Sequence, residues 1–189
     1  MATLLSMGIR SSNLPAIEQA TRRNWESWCE LLEHHGAADL PHAQIADHAV
    51  EHMPDDLANP GWWAQSVAVA YEQHIGRRLP GQAADGSFQG SVSKTLEADL
   101  DYALDLWRAQ VATLSTFNGA SLLGKPTESG SENWRYWRAA FSDGSRVSVD
   151  IGQKGNKTSL SVNQRKIREP ENLASWKDFW KQVLGSLDS

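Results

Sequence analysis

One segment, between residues 59 and 96, limits what the rest of the chain can fold into. Asn59 and Pro60 are typical of a helix start, because Asn caps a helix and Pro suits its first position. From Trp62 to Ile75, apolar and small residues follow at helical spacing on nearly every side. A helix of this kind must be enclosed by other elements. The sequence therefore predicts a core built around it.

The residues before this segment are predicted to be helical as well. An apolar stripe with a spacing of three and four runs from Leu14 to His35; Thr21 and Asn24 are both suited to cap a restart, so one helix or two short helices fit this stripe. A second stripe covers about Pro41 to Met53. Residues 1–13 have no periodic pattern, and we expect them to form a flexible arm. The first part of the chain is therefore predicted to be a helical domain at 14–76.

A different pattern follows the turn-rich residues 77–87, which we interpret as a linker to a second domain at 88–189. Alternating apolar residues flank Asp143-Gly144, and this arrangement is typical of a β-hairpin. The elements of this part are predicted in the following order: a strand at Ser87–Thr95, a helix from Leu96 to Leu114, strands at Trp134–Phe141, Arg146–Ile151 and Lys157–Ile167, and a helix after Pro170.

This order of elements predicts an α+β fold. A sheet with one apolar face needs a cover, and a long amphipathic helix can supply one. The last helix carries the matching stripe, which includes Leu173, Trp176 and Trp180. We therefore expect an N-terminal helical domain followed by a small antiparallel sheet packed on a long C-terminal helix.

Composition narrows the classes of function. The 189 residues carry a formal net charge of -5, which argues against a nucleic acid as partner. Nine basic and only four acidic residues lie between Asn118 and Arg168; a solvated outer sheet face explains this excess, with an acidic partner or RNA as the alternative. The single Cys29 fits a reducing compartment. We find no signal peptide and no membrane-spanning run, so we predict a cytoplasmic protein without a membrane partner.

Several short motifs resemble a known superfamily. The motifs in the second half are Ser91-Val-Ser-Lys-Thr95, Phe141-Ser-Asp-Gly-Ser-Arg-Val147, Lys154-Gly-Asn-Lys-Thr158 and Lys177-Asp-Phe-Trp180. This half resembles the START-like (SRPBCC, helix-grip) superfamily, in particular its branch similar to the activator of the heat-shock chaperone ATPase. The first half, with Trp25-Glu-Ser-Trp28 and Gly61-Trp-Trp-Ala-Gln65, resembles a helical domain of unknown function that bacterial proteins carry fused ahead of a START-like domain.

The resemblance covers roughly residues 14 to 187, and it implies a fold and a type of function. It implies a curved antiparallel sheet that grips the C-terminal helix and, as in many relatives, encloses an apolar ligand cavity. Gly90 stands where these domains usually carry a branched residue in the first strand. The resemblance transfers no catalytic residue to this chain.

Candidate chemistry within the sequence is sparse. His48 and His52 lie four residues apart on one predicted helix, but two histidines supply only half of a zinc site, so we predict no metal and no cofactor. Cys29 lies on a predicted helix, where a buried thiol is usually inert. No G-x-S-x-G motif and no glycine-rich phosphate loop is present.

The nine tryptophans are the clearest compositional signal. Tryptophan is enriched in binding hot spots and apolar pockets. The predicted ligand-binding residues are Trp62, Trp134, Trp137, Phe141 and Trp180. We expect a non-enzymatic binding or regulatory module that engages a protein partner or a small apolar ligand, with self-association left open. The alternative is a START-like enzyme, of the cyclase or hydrolase type, acting on a small lipophilic substrate.

Overall fold

The computed structural model describes residues 13–187. The chain divides into two compact units, Met1–Pro80 and Gly81–Ser189, and each contains a hydrophobic core of its own. The predicted linker at 77–87 spans this division. Apart from Asn13, the predicted arm at 1–13 lies outside the described residues.

The first unit is helical, as predicted. Its elements are α1 (Leu14–Thr21), α2 (Trp25–His34), a 3₁₀ turn (Ala37–Asp39), α3 (His42–Val50) and α4 (Pro60–His74). The stripe from Leu14 to His35 forms two short helices, as a restart capped at Asn24 predicts. The break occurs at Arg22, which adopts a left-handed conformation, and Asn24 then caps α2 by accepting a hydrogen bond of 2.8 Å from the backbone N–H of Ser27.

Helix α4 is present as predicted, but it is not enclosed along its whole length. Trp62, in its first turn, is 59% exposed, so the enclosure expected on nearly every side of the helix does not extend to its start. The part between Ala64 and Gln73 provides the buried residues, and these include the charged Glu72. Burial in α4 therefore depends on polar partners as well as on apolar packing.

The second unit combines helices with an open antiparallel sheet, which confirms the α+β class. Its elements are β1 (Phe88–Leu96), α5 (Leu100–Ala112), β2 (Thr127–Gly130), β3 (Trp134–Ala140), β4 (Arg146–Lys154), β5 (Lys157–Ile167) and α6 (Glu171–Gly185). The five strands lie in the order β1-β5-β4-β3-β2. Every neighbouring pair is antiparallel.

Side chains alternate between the two faces of this sheet. On β4, Val147, Val149 and Ile151 are buried, while Arg146 is exposed and Ser148 and Asp150 are partly exposed. The inward-facing apolar side chains of this sheet and its β3–β4 turn include the following buried residues: Trp137, Phe141, Val147, Val149, Ile151, Leu160 and Val162. One face thus forms the core, and the other faces solvent.

Two helices cover the inner face rather than one. Helix α6 lies against β1 and β5, and α5 lies against β3 and β4. Both contribute to one core cluster, α5 through Leu104 and Trp107 and α6 through Trp176 and Trp180. The prediction named only the last helix as a cover, so it was incomplete.

Candidate binding groove

The outer face of the sheet carries a row of large side chains along β3. Trp134, Tyr136 and Arg138 alternate with the inward-facing Trp137, so they point to the solvent side. The rings of Trp134 and Tyr136 are nearly parallel, with an angle of 8° between them and centroids 6.1 Å apart. The guanidinium carbon of Arg138 lies 4.8 Å from the Tyr136 ring centroid, in cation–π geometry.

An open groove of about 640 Å³ lies beside this row, and we call it the outer-face groove. Its lining includes four basic residues and one acidic residue. The lining residues are Leu123, Lys125, Thr127, Tyr136, Arg138, Ala139, Ala140, Arg146, Val147, Ser148, Asp150 and Arg165. The groove is therefore positively charged, although the whole chain is acidic.

The basic side chains of the outer-face groove lack acidic partners among the described residues. Arg138 donates to the hydroxyl of Ser129 at 3.0 Å, whereas Lys125, Arg146 and Arg165 form no ion pair with residues 13–187. Arg146 and Arg165 are also direct cross-strand partners on β4 and β5. Like charges in that position destabilise a sheet, so this pair lowers stability unless an anion lies between the two side chains.

A second groove in the same unit shows the opposite arrangement. It has about 620 Å³ and is lined by residues of α5, β2 and β3, among them Arg108 and Arg135. Arg108 pairs with Asp105 at 2.7 Å and with Glu128, and Arg135 pairs with Asp101 at 2.7 Å. These ion pairs hold the pKa of Glu128 and of Asp101 below their ordinary values. Its arginines are thus neutralised by the protein itself.

Hydrogen-bonding groups form the other side of the outer-face groove. Asp150, the only carboxylate in its lining, accepts hydrogen bonds from the Ser148 hydroxyl and from the Asn163 amide, the latter at 2.9 Å. Ala140 lies opposite Arg146 across the β3–β4 ladder. Because its side chain is only a methyl group, Ala140 leaves space between the neighbouring arginines.

The structure places the five predicted ligand-binding residues in three different environments. Trp137, Phe141 and Trp180 lie in the core of the second unit and are at most 3% exposed. Trp134 is on the outer face, where its ring covers Gly152 on β4. Trp62 lies on α4 of the first unit, with its ring 4.6 Å from that of Trp63.

The three core residues are joined by ring contacts. Trp107 is 5.6 Å from Trp137 and 5.8 Å from Trp180, and Phe141 is 5.2 Å from Trp176. Offset and edge-on aromatic contacts at these distances are favourable. Aromatic side chains therefore make up much of the core between the sheet and its two helices. The assignment of the five residues to a ligand site stays a prediction.

The sequence interpretation did not single out Tyr136, Arg138, Arg146 and Arg165. Two signals were available: the basic excess at 118–168, and the spacing of two residues that places Trp134, Tyr136 and Arg138 on one side of a strand. The pairing of Arg146 with Arg165 was not accessible, because it depends on the register of β4 with β5.

The histidines and the cysteine of the first unit have structural contacts. His52 shares a hydrogen bond of 2.9 Å with the backbone oxygen of His48, and the His48 ring stacks on that of His35 at 4.6 Å. Within residues 13–187, no three His, Cys, Asp or Glu side chains are arranged to hold a metal ion. Burial, together with the nearby Glu33, Glu26 and Glu30, raises the pKa of Cys29 to about 11.

Comparison with protein families and with curated protein sequences finds no match. No family model matches the chain, and no curated protein sequence matches it. The helices between residues 13 and 187 include none with the length and apolarity needed to cross a membrane.

Proposed function

We propose that this protein is a non-enzymatic binding module that uses the outer-face groove of its second unit as the binding surface. We further propose that this unit is a START-like helix-grip domain with a filled interior. The antiparallel sheet, with α6 packed across β1 and β5, supports the second proposal.

One contrast carries the functional proposal. Arg146 and Arg165 face each other in an open groove without an acidic partner among the described residues, whereas Arg108 and Arg135 in the neighbouring groove are ion-paired. Unpaired charges that lower stability are typical of functional sites, where a ligand supplies the missing interaction. The packed aromatic core favours such an external surface over an apolar cavity. The START-like enzyme stays an alternative prediction.

Thermal unfolding of the full chain with two sets of compounds tests this proposal. We expect multivalent anions such as pyrophosphate and citrate to raise the melting temperature saturably. At a hundredfold excess over the dissociation constant, one bound ligand stabilises the folded state by about 2.7 kcal/mol. Palmitate and other lipophiles should leave the transition unchanged.

Two matched variants locate the effect. Arg165→Gln should abolish the stabilisation by anions, whereas Arg108→Gln, which removes an arginine from the neighbouring groove, should retain it. Stabilisation by lipophiles alone would contradict the proposal and would instead support an apolar ligand cavity. Equal responses of the two variants to anions would show that the outer-face groove is not the site.

A further inference from the structure

From the arrangement of its basic residues, we infer that the outer-face groove binds the phosphate group of a small phosphorylated molecule. This inference rests on the proposed function and names the class of ligand. Three of the four basic residues are arginines, namely Arg138, Arg146 and Arg165, and they come from three adjacent strands. A planar guanidinium matches the oxygens of a phosphate group with two parallel hydrogen bonds.

The register brings these arginines to one place. Arg146 lies directly opposite Arg165, and Arg146 also pairs with Ala140, the second residue after Arg138 on the same face of β3. Direct cross-strand neighbours have Cβ atoms about 5 Å apart. A dianion above Ala140 therefore lies beside Arg146 and within the span of the Arg165 side chain, and it removes the repulsion between these two arginines. The Arg138 guanidinium lies over Tyr136 and donates to Ser129, so it has to rotate towards Ala140 to bind the same anion.

The size and the other lining groups favour a small molecule. A volume of about 640 Å³ is within the range of small-molecule sites, roughly 300–1,000 Å³. Beyond the arginines the lining changes to Tyr136 and Asp150, which supply an aromatic ring and a carboxylate acceptor. These groups suit an organic part with hydroxyls or a flat ring. The whole chain carries a net charge of -5, so a long polyanion that extends beyond the groove is disfavoured.

Calorimetric titration of the full chain tests the inference with defined probes: ribose 5-phosphate, AMP, and adenosine as the matched probe without phosphate. We expect saturable binding of one molecule of ribose 5-phosphate or AMP per chain, and no binding of adenosine. A charged hydrogen bond contributes about 1.5–3 kcal/mol, so Arg146→Gln and Arg165→Gln should each weaken binding at least about tenfold. Arg165→Lys keeps the charge but loses the paired donors, and it should give an intermediate affinity.

The controls separate loss of the site from loss of the fold. Without ligand, Arg146→Gln and Arg165→Gln should melt no lower than the wild type, because each removes a repulsion. Arg108→Gln should bind AMP within about twofold of the wild type, since its guanidinium lies outside the groove. The inference would be overturned if AMP and adenosine bound equally well. It would also be overturned if Arg146→Gln and Arg165→Gln both bound AMP as tightly as the wild type does.

Two larger anions distinguish this inference from the proposed function. Groove-dependent binding of a poly-glutamate peptide or of single-stranded oligothymidine, without binding of the small phosphates, would overturn the inference and leave the proposed function standing. If neither the small phosphates nor the larger anions bind, and pyrophosphate and citrate leave the melting temperature unchanged, the inference and the proposed function both fail.

Discussion

The indole Nε1 of Trp180 donates a hydrogen bond of 3.0 Å to the side-chain oxygen of Gln164, and both side chains are buried. The amide nitrogen of Gln164 donates in turn to the hydroxyl of Ser145 at 2.8 Å, and that hydroxyl donates to Asp143 at 2.6 Å. A chain of polar contacts thus connects the β3–β4 turn with α6 through the apolar core. It explains how an inward-facing position on β5 can hold a glutamine.

Replacing Gln164 by Leu should therefore destabilise the second unit. The Trp180 N–H would be left buried without an acceptor, which costs about 1–3 kcal/mol. Urea unfolding measures the change. In a Trp180→Phe background, which lacks the N–H, the same replacement should cost clearly less; an equal cost in both backgrounds would show that this hydrogen bond contributes little.

Glu72 makes the first unit sensitive to acid. Burial would raise the pKa of this carboxyl, but Arg77 at 2.6 Å, Arg78 at 2.8 Å and His42 at 3.0 Å together hold it below the ordinary value of 4.5. The folded state therefore binds a proton less readily than the unfolded state. The ionised Glu72 therefore stabilises the folded state fully at a pH above the pKa of the unfolded chain. This stabilisation is lost as the pH falls through the lower pKa of the folded state.

Replacing Glu72 by Gln should remove this dependence. The variant should be less stable than the wild type at pH 7, by about 3 kcal/mol, because the arginines lose a buried partner. The difference should shrink as the pH is lowered from 5 towards 3 in urea unfolding experiments. Asp56→Asn, which breaks an exposed pair with Arg22, should change stability at pH 7 little; a similar loss in both variants would contradict the role of burial.

Gly90 is required by the close approach of α6. A Cβ atom at this position would lie 2.8 Å from a methyl carbon of Leu173 and 2.6 Å from the Cε of Lys177. Gly90→Val should therefore lower the melting temperature, because Leu173 must move away from β1; overpacking of this kind typically costs about 1–3 kcal/mol. Gly185→Ala, on the same helix and with open space around it, should be neutral or stabilising. An unchanged melting temperature for Gly90→Val would show that α6 adapts freely.

Cys29 should be unreactive in the folded protein. Its pKa is raised to about 11 by burial and by neighbouring glutamates, so the thiolate that reacts with disulfide reagents is scarce at pH 8. Ellman's reagent should label the native chain slowly and the urea-unfolded chain rapidly. Rapid labelling of the native chain would indicate that the first unit opens frequently around α2.

The sequence was most informative where periodicity and turn chemistry agree. The hairpin at Asp143-Gly144 is present, with Gly144 at a φ of 88°, and the apolar stripe of α6 is buried as expected. By contrast, β2 at Thr127–Gly130 was not predicted, since all of its side chains are exposed and it has no apolar alternation. The segment before it, at 121–124, takes part only in an isolated bridge between Leu122 and Phe141.

The features that could not be predicted from the sequence depend on contacts between residues far apart in the chain. The burial of Glu72 depends on His42, thirty residues earlier in the chain, and the groove depends on a strand register that brings Arg146 opposite Arg165. Neither arrangement has a local signature. Whether the aromatic residues of the second unit enclose a cavity or fill the core depends on how two helices, rather than one, cover the sheet.

The position of β1 in the sheet has a consequence for the order of folding. Strands β2 to β5 follow one another along the chain and pair with their neighbours, whereas β1 pairs with β5, so that Leu96 must meet Thr158 across the whole intervening chain. Closing such a long loop costs more entropy and is slower. We expect pulse-labelled hydrogen exchange to protect the amide of Val149 on β4 before that of Val92 on β1. Before β1 pairs with β5, the edge of β5 can pair with a strand from another molecule. Slow pairing of β1 should therefore favour aggregation during refolding.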